Sequence, residues 1–254
     1  MRITIAGSGG AAVTKERSCP GILIDGLTLV DCGSGSLKNL RVLGVDLALV
    51  ERVLLSHLHN DHVGDLSSLL WTMQIEGRQA PLAIRGPLGT VRFVDDLLRL
   101  VRTPAGFVGY RLDCRDLIGD AGVAEGGGFS WCRGEHVPES LAYRLGAGYE
   151  GGGGFCVSGD TRPLRRVAAL ARGADLLVHD SSFPSGDAYA AVKSNHSTAA
   201  EAGDVASWAD AGALMLFYIL GRGHPYEETL IREASERFRG KVVLARDMMV
   251  LDFP

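Results

Sequence analysis

Six consecutive residues constrain this chain more than any other feature: His57-Leu58-His59-Asn60-Asp61-His62. They follow the apolar run Val53-Leu54-Leu55, which reads as the end of a short buried strand over Arg52 to Leu55. They precede a helical pattern from about Val63 to Trp71. In an extended chain, residues i and i+2 point to the same side. His57 and His59 can therefore aim at one point, and Asp61 and His62, where the chain turns into the helix, at a neighbouring one. Three imidazoles and a carboxylate make a borderline-soft nitrogen and oxygen donor set suited to zinc, iron or manganese. The whole chain holds only seven histidines, so a polar turn holding three of them by chance is a poor alternative.

The remaining composition narrows the class. With 254 residues, 46% hydrophobic and 22% charged, the chain can bury a sizeable core without disulfides. The five cysteines are scattered and form no CxxC pair, which argues against a zinc ribbon or a disulfide framework. A formal net charge of −4 gives no global attraction to nucleic acid. The longest apolar run, Ala213 to Leu220, is too short to span a bilayer. The N-terminus opens on an alternating strand pattern without a signal-peptide layout, so a cytoplasmic protein with no membrane partner is expected.

Strand patterns cluster, with helices interspersed, which favours sheets with helices on their outer faces over one doubly wound parallel sheet. A hairpin is expected around Asp25-Gly26, and helices over Ser36 to Leu43, from Pro87 to Val101 and over Arg162 to Arg172. Thr198 with Glu201 reads as a capping box opening a helix to about Ala211. Leu214 to Leu220 reads as a strand, Tyr226 to Phe238 as a helix, and Lys241 to Phe253 as a closing hairpin or pair of strands. No linker divides the chain, so residues 1–254 are expected to form a single domain.

Several motifs in order resemble the metallo-β-lactamase superfamily, specifically its ribonuclease Z-like branch. They are Gly7-Ser8-Gly9-Gly10 with Thr14 to Arg17, Asp31-Cys32-Gly33-Ser34-Gly35, the histidine cluster, Pro81 to Pro87, His179-Asp180-Ser181-Ser182-Phe183, His196-Ser197-Thr198-Ala199, and Ala245-Arg246-Asp247. The resemblance covers nearly the whole chain and implies an α+β fold, a four-layer αββα sandwich. It further implies two divalent cations, zinc first, with manganese or iron as the other candidates. His57, His59 and His136 would hold the first cation, Asp61 and His62 the second, and Asp160 would bridge them. Two cations about 3.5–4 Å apart need an anionic bridge, and together they lower the pKa of a shared water. Asp61 thereby also belongs to the catalytic set, with His196 and Asp180 as the pair that protonates the leaving group. Read alone, His136 before Pro138 could be a surface residue, and Asp160 a helix N-cap. Asp31 could orient a ligand histidine or simply make a turn, and His179 is expected to fix the loop beneath the site.

The pattern departs from the family at two places. The family's last metal ligand is a histidine at a strand end, and here Tyr218 occupies that position, with His224 six residues on as the other candidate. The two serines that follow are replaced by Leu220 and Gly221, leaving Arg222 as the candidate for pairing with a substrate phosphate. The interval Val137 to Gly159, where RNA-processing members carry a long basic arm, holds no lysine and one arginine, Arg144. A transfer-RNA partner is therefore not expected.

The expected function is metal-dependent hydrolysis of a small phosphodiester or related ester by metal-activated hydroxide. Two other readings stay open on the residues: a mononuclear iron enzyme of the thiol-dioxygenase type, and a degenerate sandwich kept as a binding protein. A homodimer is also left open.

Overall fold

The computed structural model describes residues 1–125, 128–146, 153–220 and 224–253. The chain divides into two compact units, Met1–Ile118 with Arg246–Pro254, and Gly119–Ala245.

The first unit is built on a seven-stranded mixed sheet. Its strands are β1 (Arg2–Gly7), β2 (Gly21–Ile24), β3 (Thr28–Val30), β4 (Arg52–Leu54), β5 (Leu82–Gly86) and β6 (Leu112–Asp116), with the closing strand Val250–Asp252 beside β1. The pairs from the closing strand to β3 are antiparallel, and those from β3 to β6 are parallel. The expected hairpin is present: β2 and β3 pair across Asp25-Gly26, both in the left-handed region, with φ of 52° and 73°. Four helices belong to this unit: α1 (Ser36–Val42), α2 (Asn60–Val63), α3 (Leu66–Ile75) and α4 (Thr90–Leu100). Leu66, Leu69, Leu70 and Met73 recur at helical spacing along α3 and are buried with Leu29, Val53 and Ile84 of the sheet.

The second unit repeats the plan. Strands β7 (Ala121–Val123), β8 (Phe129–Arg133), β9 (Leu141–Leu145) and β10 (Phe155–Val157) are antiparallel, and β10, β11 (Leu176–Asp180), β12 (Ala213–Phe217) and β13 (Lys241–Leu244) are parallel. Its helices are α5 (Arg165–Leu170), α6 (Ala188–Lys193), α7 (Ala199–Ala209) and α8 (His224–Arg237). Ala199, Ala202, Val205, Ala206 and Ala209 line the buried stripe of α7, against Leu230 and Ala234 of α8. Small residues let these two helices approach closely. A Cβ on Gly203 would sit 2.6 Å from the carbonyl oxygen of Ala234, so even alanine would force them apart. The capping box at α7 is present as expected, with Thr198 accepting from Glu201 N and Glu201 closing back on Thr198 N.

Two local expectations need correction, and a third is decided between its alternatives. The helix expected from Arg162 starts at Arg165 with Leu164 as its N-cap, so Asp160 is not the N-cap of this helix. The expected single helix is two, the first starting already at Asn60, broken at Gly64-Asp65, where Asp65 instead accepts from Gly35 N and Leu37 N. Of the two alternatives for residues 241–253, the pair of strands is found and not the hairpin, because β13 extends one sheet in parallel with β12 while Val250–Asp252 joins β1 of the other.

In both sheets the loops of interest leave the carboxyl ends of strands that run in one direction. In open sheets with parallel strands, that edge is where ligands bind. In the first unit these are Asp31 after β3 and His57 to His62 after β4. In the second they are Asp160 after β10, Asp180 at the end of β11 and Tyr218 after β12. β8 is antiparallel to β9, which is antiparallel to β10, so β8 runs with β10 and delivers His136 to the same edge.

Candidate metal centre

In the first unit, β4 ends at Leu54, and its extension carries His57 inward with no solvent exposure. His59 takes the N-cap position of α2 in an extended conformation, and its ring makes no capping bond. His57 Nε2 and His59 Nδ1 lie 3.0 Å apart, as expected of i and i+2 side chains aimed at one point. Asp61 and His62, in the first turn of α2, are 5% and 1% exposed. His62 Nε2 stands 3.4 Å from Asp61 Oδ2, and the His57 and His62 rings are 4.0 Å apart, centre to centre.

The opposite edge of His62 is held. Its Nδ1 lies 2.8 Å from Asp31 Oδ2, so Nδ1 carries the proton and Nε2 presents a lone pair. Asp31 itself has φ 58° and accepts from Ser56 N at 2.7 Å and Ser56 Oγ at 2.8 Å. Both readings of Asp31 therefore hold: it turns the chain and it orients a histidine. The fit around this turn is close, since a Cβ on Gly33 would collide with the carbonyl oxygen of Asp61.

In the second unit, His136, Asp160 and His196 offer ligand atoms that all lie within 4.8 Å of one another. His136 Nδ1 is 3.1 Å from the carbonyl oxygen of Asn195, which sets it as a donor. His196 Nδ1 is 2.7 Å from Asp180 Oδ2, and its Nε2 is 3.9 Å from Asp160 Oδ2. Burial pushes the Asp180 carboxyl up, but the facing His196 charge, with hydrogen bonds from His196, Ser182 and Thr161 N, outweighs it. The carboxyl is held below the ordinary range. His179 is fully buried, with Nδ1 2.7 Å from the carbonyl oxygen of Asp180, and burial lowers its basicity.

Tyr218 leaves β12 at φ 62°, and its ring stacks on His196 with centroids 4.9 Å apart and planes 28° apart. Arg222 lies outside the described residues, and His224 opens α8. The single arginine of the Val137–Gly159 interval, Arg144, is 2% exposed and is turned onto the carbonyls of Leu170, Arg172 and Gly153. Among the described residues, no helix is long and apolar enough to cross a membrane.

Sequence reasoning missed Ser56, Ser182 and the Asn195 carbonyl, which hold or orient these groups. A serine beside a histidine carries no distinctive spacing, and a backbone carbonyl leaves no trace in residue identity.

The donors suit a divalent cation. They are imidazole nitrogens and carboxylates, with the outer edges of His62, His136 and His196 each fixed by an oxygen acceptor, the arrangement that orients metal-ligating histidines.

The description "Anti-Pycsar protein Apyc1" belongs to a family model that matches residues 1–90. The ribonuclease Z of Haloarcula marismortui is 32% identical over 100% of this chain and 98% of its own length. The alignment runs over 305 positions, longer than this chain, so the relative carries insertions. Among solved structures, the short form of human tRNase Z superposes with a TM-score of 0.81, at 22% identity and 100% coverage of both chains. The metallo-β-lactamase fold protein YhfI of Bacillus subtilis gives 0.79, at 23% identity and 98% coverage of both. The expected fold is thereby borne out: two mixed sheets with flanking helices, in the metallo-β-lactamase class. With these histidine and aspartate clusters on that scaffold, the chain belongs to the ribonuclease Z family and is a metal-dependent hydrolase of the phosphodiesterase type.

Proposed function

We propose that this hydrolase cleaves a small phosphodiester with two divalent cations, zinc first. His57, His59 and His136 would hold one cation, Asp61, His62 and Tyr218 the other, with Asp160 as a carboxylate available to both. The supporting observation is the Asp31–His62 pair, which fixes one tautomer and presents Nε2 toward Asp61. When bound, the cations supply Lewis-acid charge and lower the pKa of a bound water to near neutrality.

The chain's own residues do the rest. Asp61 accepts a proton from the attacking water. His196 Nε2–H delivers a proton to the departing oxygen, while Asp180, 2.7 Å from Nδ1, stabilises the charged imidazolium. Tyr218, stacked on the ring, limits its rotation. Arg222 is assigned to the substrate phosphate from its place in the motif.

A small substrate is favoured over transfer RNA because the Val137–Gly159 interval carries one arginine, and that arginine is spent on backbone carbonyls. Zinc-loaded protein assayed on bis(p-nitrophenyl) phosphate, dinucleoside monophosphates and a precursor transfer RNA tests this. Turnover of the small diesters with no RNA cleavage is the expected result, and efficient transfer-RNA processing would overturn the substrate class.

A further inference from the structure

Arg162 sits at a junction inside the second unit that the chemistry above does not use. Its guanidinium grips Glu201 with two bonds, Nη2 to Oε1 at 2.6 Å and Nη1 to Oε2 at 3.1 Å. The same Nη1 donates to the backbone carbonyl of His196. The backbone N–H of Arg162 donates to the carbonyl of Glu135 at 3.2 Å. Glu201 in turn closes the cap of α7, accepting from Thr198 N at 2.8 Å.

Arg162 therefore ties together three segments: its backbone N–H holds the loop carrying His136 to the turn after Asp160, and its guanidinium holds that turn to the one carrying His196. Neighbouring bonds run between the same pieces. Ser197 Oγ donates to the Thr161 carbonyl at 2.7 Å, and Thr161 N donates to Asp180 Oδ2 at 3.1 Å. The pair is shielded, at 15% exposure for the arginine side chain and 27% for the glutamate. A planar fork is needed here, because the two acceptors on Glu201 and the carbonyl of His196 must be met from one group at fixed angles.

We propose that Arg162 is a positioning residue for His196, setting where its ring stands relative to Asp160 by clamping the His196 carbonyl and Glu201 together. This rests on the reading of His196 as the proton donor. The consequence is specific to the leaving group. A p-nitrophenolate is weakly basic and departs without a proton, whereas the sugar alkoxide of a dinucleoside monophosphate needs one. A mis-set donor slows the second and spares the first.

Arg162→Ala and Glu201→Gln, compared with wild type as metal-loaded protein, test the proposal. The expected result is a fall in kcat of about 10- to 100-fold on the dinucleoside, toward the scale of a lost general acid. On bis(p-nitrophenyl) phosphate the loss stays within about threefold, with KM little changed on either substrate. Equal losses on both substrates, or no loss, would overturn it, because a brace that only stabilises the fold does not distinguish leaving groups. A second readout needs no turnover: the Nδ1–H proton resonance of His196, hydrogen-bonded to Asp180, should be present in wild type and lost or broadened in both variants. An unchanged resonance would contradict the proposal. If wild type cleaves neither diester, the functional reading fails by itself, and the resonance alone decides the role of Arg162.

Discussion

Asp31 and His62 face each other across 2.8 Å in a region almost closed to solvent. The pair is local to one unit: β3 ends at Val30, the chain turns at Asp31 in the left-handed region, and the carboxylate meets the ring delivered by α2. The carboxylate decides which nitrogen of His62 carries the proton, and so which one can bind a cation.

Replacing that carboxylate should be felt as metal affinity. Asp31→Asn keeps the shape but can present its amide to His62, which removes the fixed tautomer. Zinc affinity is expected to fall about 10- to 100-fold, the scale on which such outer partners act. Competition with a chromophoric chelator measures it.

Asp180 gives a pH prediction for the metal-free protein. Its folded pKa lies below the ordinary carboxylate value, so it contributes stability that is complete above the unfolded pKa of about 3.9 and lost as pH falls through the lower folded value. The stability difference between wild type and Asp180→Asn in urea melts should shrink as the pH falls below about 4. A difference that grew on acidification would contradict the assignment.

Tyr218→Phe keeps the ring that stacks on His196 and removes only the phenol oxygen. As Tyr218 is assigned to the second cation, calorimetric titration should show the second equivalent weakened by about tenfold or more, with the first unchanged. Two equivalents of unaltered affinity would return Tyr218 to a packing role.

The cysteines should be sluggish. Burial, then the nearby Asp61 charge, pushes Cys19 up to about 11; burial pushes Cys114 up to about 11 and Cys132 up to about 12, and it raises Cys32 and Cys156 as well. Few thiolates are present at pH 8, where an ordinary thiol near 8.5 reacts readily. A disulfide reagent should titrate the native protein slowly and all five thiols quickly after denaturation.

The sequence made some features of this molecule plain and left others hidden. The histidine cluster was legible because strand periodicity and helix onset fix where side chains at 57, 59, 61 and 62 point. The capping box at Thr198 was legible for the same local reason. The fate of residues 241–253 was not, because two strands separated by a few residues can pair with each other or with distant partners, and only long-range register decides. Helix α6 was missed because six residues with Ala, Tyr and Val offer too little periodicity after Pro184-Ser185-Gly186. Arg162 and Glu201 are 39 positions apart, and although Glu201 reads as the capping partner of Thr198, no spacing pairs it with Arg162; their meeting depends on how α7 packs.

The most direct test of the account is metal content measured alongside turnover. Purified protein is stripped with a chelator and reloaded stepwise with zinc or manganese, while bound metal per chain and bis(p-nitrophenyl) phosphate hydrolysis are followed together. The account predicts hydrolysis that vanishes on stripping, returns with two ions per chain, and is lost in His59→Ala. Undiminished turnover in the stripped protein, or a preparation that holds a single iron per chain and hydrolyses nothing, would contradict it.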